Sequence, residues 1–236
     1  MIILNSGYLK LLATHILKMD LRKKINIIFF SSVIIIPLTA FSVIHWINNN
    51  YTALSYYGDT EVKKENGKEK EEHFTVPAFS FINQENKTLT NDFVKDKIWV
   101  ADYFFTKCNS ICPKLATHLK KVQDAFKQDD NVRIVSFTVD PERDTPQALQ
   151  SYAEGYGADA ARWQFVTGEK RDLYGFARKG LFIVATDGDG GEDDFIHSEN
   201  LVLIDTHKHI RGYYDGTSDS QVDQLIKDIE RLKKEK

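Results

Sequence analysis

Two hydrophobic periodicities alternate along residues 74–236 and predict a mixed α/β domain. Nearly continuous apolar or β-branched runs predict strands, and apolar residues repeating every three to four positions predict helices. The expected order is a strand at Val76–Ile82, a strand at Lys97–Phe105, a helix at Pro113–Phe126, a strand at Val132–Val139, a helix from Asp144 or Thr145 to Tyr156, a strand at Trp163–Thr167, a helix at Glu169–Lys179, strands at Asn200–Asp205 and His209–Tyr214, and a helix at Ser218–Lys236 that Ser218 and Gln221 begin as a capping box. This order predicts a thioredoxin-like fold, with helices on both faces of a mixed central sheet.

A long apolar segment precedes this domain. Ile25–Ile47 contains no Asp, Glu, Lys or Arg and ends near Trp46, an aromatic residue suited to the membrane interface. A cleaved signal peptide would have a shorter apolar region followed by a small-residue cleavage site. We therefore expect one N-terminal transmembrane helix at 25–47; a buried core helix is the alternative.

The residues around this segment predict its orientation. Residues 1–24 form a basic leader, in which Met19 is an alternative start that would exclude residues 1–18, and cytoplasmic loops are enriched in Lys and Arg. The leader lacks the Arg- and Ser-rich amphipathic character of a mitochondrial transit peptide. We expect a single pass through a bacterial cytoplasmic membrane, with the N-terminus in the cytoplasm and the C-terminal domain in the periplasm or outside. The charged run at 48–73 has no apolar periodicity and is predicted to be a tether.

The amino-acid composition excludes some classes of fold and function. The chain has 31 basic and 34 acidic residues, a formal net charge of −3, and 42% hydrophobic residues. This balance is that of an ordinary globular protein and argues against a nucleic-acid partner, which would require a basic face. Only two cysteines occur, Cys108 and Cys112, so the domain must rely on a hydrophobic core rather than on disulfides.

Both cysteines follow the predicted strand Lys97–Phe105, at the edge of the sheet where open α/β folds place their chemistry. Cys112 directly precedes Pro113, which can begin a helix, and the N-terminus of a helix favours a thiolate. A separation of four residues is about one helical turn, so both sulfurs can face one point. Two thiolates at one point suit Cu(I), zinc or a reversible disulfide, and the spacing alone does not choose among them.

Further residues distinguish these possibilities. A thiol–disulfide oxidoreductase of this fold typically has a C-x-x-C motif and a proline before the next strand, whereas here the spacing is C-x-x-x-C and no proline follows Pro146. His197 stands at the corresponding position, and an imidazole beside two thiolates forms a Cys₂His set that copper accepts. Asp140 and Asp144 follow the strand Val132–Val139 and should also reach this edge. Their alternatives are a turn former and a helix cap, and the alternative for His197 is a hydrogen-bonded structural residue.

Three motifs together resemble the Sco/SenC family of membrane-anchored, thioredoxin-like copper proteins that assist assembly of the CuA centre of cytochrome c oxidase. They are F-F-T-x-C-x-x-x-C-P at 104–113, V-D-P-E-R-D-T-P at 139–146, and a histidine, His197, before the penultimate strand pair. The likeness extends through Leu149, Tyr152 and Ala153, through Trp163 with Thr167 and Gly168, and through 211–214. One local departure is the turn at 205–209, which contains His207 and His209.

The resemblance implies a metallochaperone rather than an enzyme that turns over a substrate. Cys108, Cys112 and His197 would be the copper ligands, binding Cu(I), Cu(II) or both. Asp140 and Asp144 would be secondary or partner-facing residues. The expected partners are a copper donor and the CuA-bearing oxidase subunit or another cuproprotein.

The competing interpretation is a thiol–disulfide reductase in which Cys108 and Cys112 keep the oxidase cysteines reduced. A peroxidase is disfavoured because neither cysteine has a threonine three positions before it, and His207 with His209 is a weaker candidate for an accessory metal site.

Overall fold

The chain divides into two units, Met1–Thr52 and Ala53–Lys236, in a computed structural model that describes residues 20–51, 53–65, 68–183 and 198–235. The first unit contains helix α1, Leu21–Tyr51, which includes Pro37. Large apolar side chains along α1, among them Phe29, Ile34 and Phe41, are more than half exposed. Within the described part of the chain, no helix combines the length and the hydrophobicity needed to cross a membrane.

The second unit begins earlier than the sequence suggested. We predicted that 48–73 would be a charged tether that does not fold alone, but β1 (Thr60–Glu65) and β2 (Lys68–His73) form an antiparallel hairpin. The residues before the hairpin also contact the domain, since Tyr57 forms a β-bridge with Ile210. The charged composition did not predict the hairpin because its strands pair through backbone groups, which carry no sequence pattern. The segment before the hairpin also contacts the domain through side chains, since the ring of Tyr57 packs on that of Tyr213.

The central sheet has, among the described residues, the strand order β4-β3-β7-β6-β5-β8-β9. Strands β5, β6 and β7 are parallel, and β3, β8 and β9 pair antiparallel with their neighbours. The strands are β3 (Ser80–Asn83), β4 (Thr88–Thr90), β5 (Ile98–Phe104), β6 (Val132–Thr138), β7 (Trp163–Thr167), β8 (Asn200–Ile204) and β9 (Ile210–Asp215). The predicted mixed sheet is confirmed, and β4 is a strand that the sequence did not reveal.

Helices cover both faces of this sheet, as predicted. They are α2 (Cys112–Ala125), α3 (Pro146–Gly155), α4 (Lys170–Gly175, continued by a π-helical turn at Phe176–Gly180) and α5 (Asp219–Leu232). Alternate residues of β5 divide between the two cores: Val100 and Phe104 pack with α2, α3 and α5, and Trp99 and Tyr103 pack with α4. All of β5 is buried, which explains why its sequence is apolar almost throughout.

Two predicted helix starts differ in detail. Thr145, not Asp144, is the N-cap of α3, because the Thr145 side chain accepts a hydrogen bond from the backbone N–H of Ala148. The capping box predicted for α5 is wrong. Ser218 occupies the N-cap position without a capping side-chain bond, and the Gln221 side chain instead accepts from the backbone N–H of Asp215.

The strand directions bring three segments to one edge. The carboxyl ends of the parallel strands β5 and β6 lie there, and so does the start of β8, because β8 runs antiparallel to β5. The loop that carries Cys108, the loop at 139–145, and residues 198–199 therefore meet at this edge. The β8–β9 turn lies at the opposite edge, where Trp99 pairs with Ile204.

Candidate metal centre

The two cysteines are joined by a backbone contact. Helix α2 begins at Cys112, with Pro113 in its first turn, and Ile111 at the N-cap position makes no side-chain capping bond. The backbone N–H of Cys112 donates instead to Sγ of Cys108, at an N–S distance of 3.4 Å. The sulfur of Cys108 thus accepts a hydrogen bond from one of the first N–H groups of the helix, which have no partner within the helix. This bond holds the sulfur within one helical turn of Cys112.

The two thiols differ in acidity. Burial raises the pKa of Cys108, but hydrogen bonds from the Cys112 thiol, the Ser110 hydroxyl and backbone N–H groups outweigh it and bring the pKa to about 7. Burial raises the pKa of Cys112 to about 12, and the hydrogen bond with Cys108 and the charge of Asp102 add to this effect. Cys108 is therefore the thiol of the pair that ionises near neutral pH, and Cys112 is the partner that stays protonated there.

Both sulfurs border one small cavity of about 70 Å³. Both cysteines are reduced and buried. The other lining residues are mostly apolar and come from β5, from the cysteine loop, from the end of β6 and from the start of β8; they are Tyr103, Phe104, Phe105, Ser110, Ile111, Val139 and Ser198. Two soft sulfur ligands in a small apolar cavity fit a single copper ion in its reduced state, because that ion prefers sulfur and low coordination.

His197 lies outside the described residues. The residue that follows it, Ser198, is buried and lines the same cavity as Cys108 and Cys112. The Ser198 hydroxyl accepts a hydrogen bond from the backbone N–H of Asn200, at 3.1 Å, and the carbonyl of Glu199 accepts from Gly216, at 2.8 Å. Ser198 and Glu199 are thus held at the edge of the sheet that carries the cysteines.

Asp144 is not where the sequence placed it. We expected a partner-facing carboxylate or a helix cap, but the residue is fully buried, with 0% of its surface exposed. Its carboxylate accepts from the hydroxyl of Thr106 (2.5 Å), from the backbone N–H of Thr106 (3.1 Å) and from the hydroxyl of Thr138 (2.5 Å). Asp144 therefore joins the cysteine loop to the end of β6 from the inside.

Asp140 remains half-buried at the rim. Its carboxylate lies 3.4 Å from the guanidinium of Arg143, and its backbone N–H donates to the hydroxyl of Thr138 at 2.9 Å. From this loop, Val139 rather than Asp140 lines the cavity. Asp140 is thus a neighbour of the site, without a described contact to either sulfur.

Sequence reasoning missed Asp102, the one charged side chain within the apolar strand β5. It is buried and accepts a hydrogen bond from Ser136, which in turn accepts from the indole N–H of Trp163 at 2.8 Å. Burial raises the pKa of Asp102 to about 7, although the bond from Ser136 opposes the rise. The signal was present, since a lone acid in a run such as Lys97–Phe105 must either be paired or be protonated.

His207 and His209 lie on the β8–β9 turn, at the edge of the sheet away from the cysteines. Their ring centroids are 6.4 Å apart, and Nδ1 of His209 lies 2.8 Å from the carbonyl oxygen of Phe74. Among the described residues, no three His, Cys, Asp or Glu side chains are grouped so that they could hold a metal ion. Within the described ranges, His207 and His209 therefore have no third ligand.

Comparison with known proteins identifies the architecture. A family model described as SCO1/SenC matches residues 67–234. The chain belongs to the SCO1/SenC family. The match spans the cysteine loop, the loop at 139–145 and His197, so the resemblance drawn from the three motifs is confirmed.

Several members of this family are similar to the chain. The SCO1 protein homologue of Bacillus subtilis is 32% identical over 159 residues, which cover 66% of this chain and 82% of the homologue. A SCO1/SenC family lipoprotein from Bacillus anthracis has a TM-score of 0.60 and 30% identity, over 67% of this chain and 95% of that structure. BsSco, described as a member of the Sco family of cytochrome c oxidase assembly proteins and as having a disulfide switch, has a TM-score of 0.59 and 32% identity, over 69% and 95%.

Copper is present in a more distant relative. ScoI of Bradyrhizobium japonicum, solved with copper bound, is 20% identical, with a TM-score of 0.55 over 67% of this chain and 99% of that structure. At this identity the likeness shows the shared fold. A relative in Stutzerimonas stutzeri, 28% identical over 142 residues, is described as a putative copper-binding protein, so Sco homologues include copper-binding proteins. The thioredoxin-like fold predicted from the order of elements is confirmed.

Proposed function

We propose that this member of the SCO1/SenC family carries a single copper ion to another protein and holds it with Cys108, Cys112 and His197. The observation that carries the proposal is the cavity of about 70 Å³ that both cysteines and Ser198 line. Copper is the cargo, so the ligands must bind it and also release it. A site at the edge of the sheet suits exchange, because a partner's thiolates can approach there.

The ligand chemistry supports Cu(I) in particular. Thiolates are soft ligands, and with one imidazole nitrogen they form a trigonal set that copper accepts. The Cys112 N–H bonded to Sγ of Cys108 at 3.4 Å keeps the sulfurs together before the ion arrives. Because Cys108 has a pKa of about 7 and Cys112 one of about 12, binding would displace a proton mainly from Cys112 at neutral pH.

The partner we propose is the CuA-bearing subunit of cytochrome c oxidase. Support comes from the description of BsSco as a member of a family of oxidase assembly proteins. Asp140 and Arg143, at the rim of the site, provide a charged pair that a docking partner can meet. The exposed Arg143 is well placed for an acidic group, and Asp140 for a basic one.

A second candidate function is reduction of a disulfide in the oxidase subunit. The unequal thiols favour it, because a low-pKa nucleophile beside a protonated thiol is the arrangement that thiol exchange uses. The Cys108 thiolate would attack the partner's disulfide and form a mixed disulfide. The Cys112 thiol would then lose its proton and displace the partner's sulfur, which leaves a Cys108–Cys112 disulfide. The partner gains two electrons and two protons, one proton from Cys112 and one from solvent, because Cys108 reacts as a thiolate.

For the N-terminal unit, we propose that Ile25–Ile47 anchors the chain in a bacterial cytoplasmic membrane, with the C-terminal domain outside. Three hydroxyl groups of α1 bond to carbonyls of the same helix: Ser32 to Phe29, Thr39 to Ile36 and Ser42 to Leu38. Such internal bonds reduce the cost of placing hydroxyl groups in hydrocarbon. The basic residues before the segment support a cytoplasmic N-terminus.

The two candidate functions can be separated by one transfer experiment. The full chain in detergent is loaded with one equivalent of Cu(I) and mixed with an apo CuA domain whose cysteines are either reduced or disulfide-bonded. A carrier transfers copper to the reduced domain, which is measured as the copper content of the domain after it is separated from the chain. If the chain without copper reduces the oxidised domain but the loaded chain transfers no copper to the reduced domain, the reductase function replaces the carrier function.

A further inference from the structure

The carboxylate of Asp144 binds the loop that carries Cys108 to the rest of the domain. Oδ1 accepts the hydroxyl of Thr106 at 2.5 Å, and Oδ2 accepts the hydroxyl of Thr138 at 2.5 Å. The backbone N–H of Thr106 also points at the same carboxylate, 3.1 Å from Oδ2 and 3.3 Å from Oδ1. Thr106 stands two residues before Cys108, so the loop is fixed close to its first sulfur.

These hydrogen bonds satisfy the buried carboxylate of Asp144, and they also fix the position of the cysteine loop. Backbone hydrogen bonds hold Cys112 as the first residue of α2, whereas Cys108 lies in an irregular loop outside any helix or strand. The bonds next to Cys108 include a turn bond from its N–H to the carbonyl of Phe105, at 3.2 Å, and the sulfur contacts with Ser110 and Cys112. Asp144 adds a link from the loop to the end of β6, through the hydroxyl of Thr138.

We propose that Asp144 is a positioning residue for the copper site, acting through Thr106 to keep Sγ of Cys108 within reach of Cys112 when neither a metal ion nor a disulfide joins them. This proposal rests on the proposed function, since it concerns the same two sulfurs. The two acidic residues of the motif at 139–146 then have different roles. Asp144 fixes the cysteine loop from inside the domain, and Asp140 lies at the rim of the site.

The energetic reason is preorganisation. A loop that is free in the unloaded protein must be ordered when copper or a disulfide joins the sulfurs, and that cost reduces the affinity. A buried carboxylate that accepts several hydrogen bonds orders the loop in advance. Loss of a group that orients a metal ligand from outside the coordination sphere typically weakens metal binding by roughly 10- to 100-fold.

The test removes the bond from the Thr106 side, because Asp144→Ala would leave buried donors without an acceptor and could prevent folding. Thr106→Val replaces the hydroxyl by a methyl group of similar size, and Thr106→Ser restores the hydroxyl. The matched control is Thr145→Val, which makes the same exchange at the N-cap of α3, next to Asp144, and removes a bond that does not involve the cysteine loop.

Three quantities are measured on the full chain in detergent: Cu(I) affinity by competition with a chromophoric Cu(I) chelator, the midpoint potential of the Cys108–Cys112 couple in glutathione buffers, and the melting temperature. We expect Thr106→Val to weaken Cu(I) binding by about tenfold or more and to shift the midpoint potential. Thr106→Ser should restore both, and Thr145→Val should lower only the melting temperature.

Two results would overturn the proposal. One is wild-type copper affinity and potential in Thr106→Val; the other is loss of affinity in Thr145→Val in proportion to its loss of stability. If the wild-type chain binds no Cu(I), the carrier function fails, but the comparison of midpoint potentials still decides whether Asp144 positions the cysteine loop.

Discussion

Ser198 lies in the wall of the cavity that Cys108 borders. Ser198 also directly follows His197 in the sequence. This adjacency is the observation behind the proposal that His197 is the third copper ligand.

The variant His197→Ala should therefore weaken copper binding while leaving the thiol couple functional. Loss of a direct ligand is expected to cost at least as much as loss of an outer-shell partner, which is roughly 10- to 100-fold. The measurement is Cu(I) competition together with the rate of disulfide formation. His207→Ala and His209→Ala, at the opposite edge, are the controls and should bind copper normally. Unchanged affinity in His197→Ala would show that the imidazole is not a ligand.

Alkylation should distinguish the two cysteines by pH. Cys108, with a pKa of about 7, should react with iodoacetamide at a rate that rises between pH 6 and 8, because the thiolate is the nucleophile. Cys112, with a pKa of about 12, should stay unreacted over the same range. Mass spectrometry of peptides from the full chain gives both rates.

The variant Ser110→Ala tests the cause of the low pKa of Cys108. It removes the hydroxyl that lies 3.5 Å from the Cys108 sulfur and should move the midpoint of alkylation to higher pH. Lys107→Ala, on the same loop, removes a side chain that has no described contact with the sulfur and serves as the control. A midpoint that moves equally in both variants would assign the acidity to the loop as a whole.

Asp102 predicts a pH dependence of stability. Its pKa is about 7 in the folded protein against 3.8 ordinarily, so folding favours the protonated acid. The stabilising contribution is complete below about pH 4 and is lost as the pH rises through 7; it amounts to roughly 4 kcal/mol at most. Denaturant unfolding of Asp102→Asn should show a flatter pH profile over this range than the wild type. A parallel profile would mean that Asp102 is ionised throughout.

The membrane anchor has its own prediction. A chain that starts at residue 53 lacks α1 but keeps the second compact unit, and it should be recovered in the soluble fraction after export. The full chain should stay with the membrane after alkaline carbonate washing, because the apolar side chains of residues 29–44 would be inserted in hydrocarbon. Release of the full chain by carbonate would contradict the anchor.

The central strands β5, β6 and β7 were predictable because they are buried almost throughout, whereas the edge strand β4 is short and partly exposed and was missed. The strand Trp163–Thr167 has the bounds that the sequence predicted. The strand Ile98–Phe104 is one residue shorter at each end than the predicted strand Lys97–Phe105. The hairpin β1–β2 was not predictable, since its residues are charged and its pairing uses backbone groups.

At the site, the spacing of Cys108 and Cys112 indicated their chemistry. The role of Asp144 could not be inferred, because a buried carboxylate and a capping carboxylate look alike before Pro146, and only the hydrogen bonds from Thr106 and Thr138 distinguish them.

The most direct test of the account is the copper content of the full chain, purified in detergent under reducing conditions, for the wild type, Cys108→Ser and Cys112→Ser. Serine keeps the shape of cysteine but is a poor ligand for Cu(I). We predict one copper ion per wild-type chain and none retained by either variant against a chelator. Near-stoichiometric, equally tight copper in either variant would contradict a site built on the two sulfurs.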